Sequence, residues 1–233
     1  MENDLDTRVS ADLHPGVVGH LDGYDDDAAS VLARTETAFA NAYRTLIRVN
    51  DACEAARSDP TMTPAAALVK GQAFADQAFT TLAAGFDGAA ENLKVIIAGI
   101  EQEFAVPIES RAGTMMSTEI RAYIANLPDE KRNDFVMRAI KDDDQRVITA
   151  VLGAPAILSG LNPKMMPSLT RLYHEHHSPL QAKRLRAAKA GLDLLGQRSG
   201  LIHSNLSRAV GADRATVEKH RAAAARTAKA FGA

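Results

Sequence analysis

The chain has 233 residues with 46% apolar, 5% aromatic and 24% charged side chains, and it contains no Trp. It is long enough to bury a sizeable core, and its poverty in aromatics and in β-branched period-two runs favours helices over sheets. The formal charge of −2 conceals an asymmetry: residues 164–233 carry 13 Lys/Arg against 4 Asp/Glu, and residues 1–163 carry 14 against 25. A basic end can meet a polyanion, or it can meet the acidic part of its own chain or of another copy. The single cysteine, Cys53, cannot form an internal disulfide. No apolar run approaches the ~20 residues of a membrane span. Residues 1–6 have neither the charge nor the apolar core of a signal peptide, so a cytoplasmic or virion-associated protein without membrane contact is expected.

Residues 1–27 hold eight acids and one arginine, with Pro15, Gly16, Gly19 and Gly23 interrupting any period. They read as a flexible acidic tail ending in Asp25, Asp26 and Asp27, which cap the helix that follows. That helix is predicted over residues 28–57, with Leu32, Phe39, Tyr43, Leu46 and Cys53 on one side. After a short polar break, Thr63-Pro64 supplies an N-cap and a proline at the first helical position of a second helix, over residues 63–104. Its apolar residues Phe79, Leu82, Phe86, Leu93, Ile96, Ile100 and Phe104, with Ala89 in the gap, form a heptad seam for packing against other helices. The short connection makes the two helices an antiparallel hairpin, residues 28–106. Gly85 and Gly88 fall inside the second helix, but the seam keeps its phase across them.

Residues 107–163 change in style. Short helices are predicted from Ser117, from Asp129 and over residues 145–152, each opened by acids or proline. The apolar stretch from Val147 to Leu161 reads as the buried centre of this subdomain. Residues 164–233 then form a basic helical arm, with helices expected at residues 168–177, 179–197, 202–210 and 214–230. The whole is an all-α protein.

Four patterns bear on chemistry. His174-Glu175-His176-His177 places His174 and His177 three apart, but Ser178 stands where a His-Glu-x-x-His site needs its second histidine, so no metal is assigned. Asp142, Asp143 and Asp144 lack the glycine and glutamate of a calcium loop and read as a helix cap. No phosphate loop or nucleophile elbow occurs, so no catalytic residue and no cofactor is assigned, and an enzyme is not expected. Residues 206–217 (LSRAVGADRATV) are similar to a helix-turn-helix with Gly211 at its turn. In that reading Arg208, Arg214, Thr216, Lys219 and Arg221 are candidates for contacting nucleic acid. A helix–glycine–helix corner gives the same letters, with Gly211 as a C-terminal cap and Asp213 as an N-cap.

The segments EIRAYI at residues 119–124, AVLGAPAILSGL at 150–161 and LYH at 172–174 resemble helical proteins encoded by phages and prophages of high-GC bacteria. The resemblance spans about residues 117–220 and brings no catalytic residues with it. It implies a virion or assembly component. The expectation is therefore a non-enzymatic structural or interaction protein that forms a homo-oligomer or engages another helical protein, the alternative being a DNA-binding protein that uses residues 204–221.

Overall fold

The computed structural model describes residues 5–108 and 115–231. Among them there is no strand, and the protein is all-α. The helices are α1 (Asp26–Ser58), α2 (Pro64–Phe104), α3 (Met115–Ala125), α4 (Asp129–Lys141), α5 (Gln145–Leu152), α6 (Met166–His177), α7 (Pro179–Val210) and α8 (Arg214–Ala230). The chain divides into two compact units, Met1–Val95 with Ala187–Ala233, and Ile96–Arg186. The divisions fall inside α2 and α7. The bodies expected from the sequence ended instead at residues 106 and 163, which lie in the non-helical stretches after α2 and before α6.

In the first unit α1, the first part of α2 and the later part of α7 share one core. Leu32, Phe39, Leu46 and Val49 of α1 are buried with Leu82, Phe86, Ala89 and Leu93 of α2, and with Leu195, Ile202 and Leu206 of α7. Phe39 and Phe86 rings lie 5.1 Å apart at 45°. Gly191 is where α7 comes closest, since a Cβ there would stand 2.6 Å from Leu32 Cδ2 and 3.2 Å from Leu93 Cδ1. The heptad seam of α2 is thus covered in this unit by two helices of the same chain.

α7 is continuous through residues 198–201, where a break between two helices was expected. Gly196 and Gly200 each weaken a helix by about 1 kcal/mol, but Leu195, Ile202 and Leu206 keep one buried face across them. Burial in the core outweighs local propensity. At its C-terminus the Arg57 guanidinium of α1 donates to the carbonyls of Ala209 and Val210, supplying positive charge and donors where a helix end needs both.

The acidic N-terminal stretch is not the free tail its composition suggests. Two 3-10 turns, Ala11–Leu13 and Pro15–His20, pack on α1 and bury Val9, Leu13 and Val18. The Asp6 N–H donates to Tyr43 Oη at 2.7 Å and the Ser10 N–H to Asn205 Oδ1 at 3.0 Å. Arg8 reaches Asp6, Asp51 and Glu54 at 2.6–2.9 Å. Val9 and Leu13 are four apart, but Val18 follows five residues later across Pro15 and Gly16, so no continuous period marks the three.

The second unit is built round α5, which packs against α3, α4 and α6. Ile124, Val136, Ile140, Ile148, Val151, Leu161 and Leu169 form its core. A smaller cluster joins Ile100 and Phe104 to Leu185.

Candidate functional site

The segment between α5 and α6 holds the most unusual surface of the second unit. Its first half is buried as expected, from Val147 through Ala154. The second half departs from the expected buried centre: in the 3-10 turn Ala156–Leu158, Ile157 is 85% exposed and Leu158 51%. Ala156 of the same turn packs against the core and Ser159 and Leu161 after it are buried, while Ile157 and Leu158 project outward.

That turn is held firmly. Arg132 of α4 donates through Nη1 to the Gly160 carbonyl at 2.7 Å, through Nη2 to Ala125 at 2.8 Å and through Nε to Leu127 at 2.9 Å. Its Nη1 also pairs with Asp129 at 2.6 Å. One guanidinium thus ties the end of α3 to the end of the turn, a use that only Arg's planar fork permits. Gly160 has φ +67°, which favours glycine, and a Cβ there would stand 3.0 Å from Arg132 Nη1, so the guanidinium would have to shift slightly. Behind the turn, buried Arg121 of α3 donates to the Ala150 carbonyl at 3.2 Å. α3 also packs on the turn and carries Tyr123, which is exposed and in ring contact with Phe135 at 5.6 Å. The result is an apolar projection on a fixed base.

The seam residues of α2 divide between the units. Leu82, Phe86 and Leu93 are buried in the first; Ile100 and Phe104 are buried in the second, where Ile96 is half-buried. Phe79 is the exception at 41% exposure, resting edge-on against His203 at 5.9 Å.

The helix-turn-helix candidates end up in different situations. The corner is real: Gly211 adopts φ +74°, and Asp213 caps α8 by accepting from the Thr216 N–H at 2.8 Å and Oγ1 at 2.9 Å. Those bonds hold the Asp213 carboxyl below the usual carboxylate range. Thr216 is therefore spent on the cap. Arg221 is half-buried and pairs with Glu218 at 2.9 Å and Asp76 at 3.6 Å. Arg208, Arg214 and Lys219 are exposed. The helix before the corner is the last part of the 32-residue α7 rather than a short helix of its own.

The histidine cluster disperses onto protein partners. His174 Nε2 lies 2.8 Å from the Val106 carbonyl, with its ring stacked on Phe104 at 6.3 Å. His177 Nε2 lies 2.7 Å from Gln145 Nε2 and 3.2 Å from Asp143 Oδ1. Among the described residues no three His, Cys, Asp or Glu side chains gather as a metal site would require. Asp142 and Asp144 are the C-cap of α4 and the N-cap of α5. Cys53 is buried, and burial pushes its thiol above the ordinary range.

A cavity of about 690 Å³ in the second unit is lined by Phe104, Pro107, Leu152, Met166 and Arg171, among others. Its arginine is occupied by Glu175 at 2.7 Å and Glu101 at 4.0 Å. No helix of the described residues is long and apolar enough to cross a membrane. In comparisons with known proteins the chain matches no family model, no curated protein and no solved structure.

Proposed function

We propose that this chain is a non-enzymatic interaction protein that assembles with further copies of itself through the apolar turn of its second unit. The observation that carries the reading is Ile157, a large aliphatic side chain 85% exposed on a turn fixed by Arg132. An exposed aliphatic on a mobile loop loses entropy when it docks. One on a fixed base has paid most of that cost at folding, which favours binding. Leu158 and Tyr123 extend the same apolar character beside it, as the centre of a protein interface requires. The seam of α2 is not needed for assembly on this reading, because within the first unit it is already buried from Leu82 to Leu93, Phe79 alone of its named residues there staying exposed. A role as a virion or assembly component is consistent with such a protein and rests on the resemblance of residues 117–220.

Light scattering over a dilution series from high to low micromolar tests the reading. Wild type is expected to lose mass on dilution, and Ile157→Glu to be monomeric throughout with an unchanged helical spectrum. A wild type that is monomeric at every concentration would remove the proposal.

A further inference from the structure

α8 presents a row of exposed cations that no described residue of the first unit covers. The helix is held to its unit through Val217, its buried side chain, and residues 222–230 are exposed at every position. At 3.6 residues per turn, the face opposite Val217 carries Ala215, Lys219, Ala222, Ala223 and Arg226, with Lys229 at its edge. Glu218, the helix's acid, lies off this face and pairs with Arg221. Lys219, Arg226 and Lys229 have no carboxylate partner among the described residues; Arg226 donates only to the Ala222 carbonyl of its own helix, at 3.3 Å. From Lys219 to Lys229 the row rises ten residue steps, about 15 Å at 1.5 Å per residue.

We infer that the outer face of α8 binds the phosphate backbone of duplex nucleic acid through Lys219, Arg226 and Lys229. Two observations favour phosphates over an acidic protein surface. Between the cations the face carries only alanine, so it lacks the large apolar or aromatic anchors that give a protein interface its energy. Those same small side chains let a polyanion approach the helix while the long Lys and Arg stems reach out to it. The residues also differ from a base-reading set. Thr216 is bound into the cap, Arg221 is paired with two acids, and Phe231 lies past the helix end. What remains is charge without a pattern of groups to read base edges, which positions a duplex but does not specify its sequence.

The test is a titration of the full, nuclease-treated chain with two labelled duplexes of unrelated sequence. Three phosphate contacts give a salt slope of about −2.7, so affinity should fall about 40-fold between about 50 and 200 mM salt, equally for both duplexes. Lys219→Gln with Arg226→Gln should leave a slope of about −0.9 and at most about a fourfold change over that range. Arg34→Gln with Arg44→Gln, an equal charge loss on exposed positions of α1, should bind as wild type does. All these positions are exposed, so the helical spectrum should not change. Any one of four results would overturn the inference: no binding by wild type at low salt, equal weakening by the α1 pair, strong preference for one duplex, or competition by polyglutamate as effective as by DNA.

Discussion

Arg132 and Gly160 meet at 2.7 Å, guanidinium to carbonyl, at a backbone position where φ is +67° and a Cβ would crowd the arginine at 3.0 Å. Each residue makes sense of the other: glycine leaves room for the arginine, and the arginine holds the turn that glycine makes possible. Ile157 and Leu158 stand outward in the turn that this pair closes.

Replacing Arg132 with lysine should therefore be costly although charge is kept. A lysine ammonium cannot serve the Ala125, Leu127 and Gly160 carbonyls together from that distance and geometry. Arg132→Lys is expected to lose about 2–3 kcal/mol in urea unfolding, the range for hydrogen bonds to charged groups. A loss below about 0.5 kcal/mol, as for ordinary surface changes, would show that the clamp contributes little.

Thr35 points the other way. Its hydroxyl is fully buried in α1 and has no hydrogen-bond partner among the described residues, so folding removes it from water without replacement there. Thr35→Val keeps the shape and drops the polar atom, and should raise stability by about 1–2 kcal/mol. A decrease would indicate that the hydroxyl is satisfied in solution.

Gly191 is the tightest contact of α7 on the hairpin. Any side chain there meets Leu32 and Leu93, both buried. Gly191→Val should cost about 1–3 kcal/mol by overpacking, despite the removal of a helix-interior glycine. Gly85 and Gly88 have open space at their Cβ positions. Replacing either with alanine should instead stabilise by up to about 1 kcal/mol. Thermal unfolding of the three variants separates packing from propensity.

Acid should weaken the fold through identifiable groups. The Asp6 carboxyl is held down by hydrogen bonds from Arg8, Asp59 by those from Thr61, and Asp213 by those from Thr216. Each is depressed in the folded state. Its contribution is present above the unfolded value, about 3.9, and is lost as pH falls through the lower folded value. The melting temperature should drop below about pH 4, and Asp213→Asn, which keeps a capping oxygen, should flatten part of that drop. An identical acid profile for this variant would mean the cap charge contributes nothing.

The all-α character, the α1–α2 pairing and the caps at Asp25, Asp144 and Asp213 were legible because each rests on local chemistry or a strict period. The N-terminal packing was not, because the i, i+4 step from Val9 to Leu13 is not continued to Val18 across Pro15 and Gly16. The junction within α7 was misread because glycine content reports local propensity, whereas Ile202 and Leu206 report burial across the core. The exposed turn was hidden for a related reason. Ile157 and Leu158 have the composition of core residues, and only the structure shows them exposed. Of the basic candidates, the letters alone could not separate Arg221, which pairs with Asp76 145 positions earlier in the chain, from Lys219, which pairs with nothing described.

Sedimentation velocity of wild type, Ile157→Glu and Arg132→Ala side by side, each at low and high micromolar concentration, addresses the central claim. The account predicts that wild type associates as concentration rises and that removing either the apolar tip or its clamp leaves a folded monomer. Association that survives unchanged in both variants, or a wild type that never associates, would contradict it.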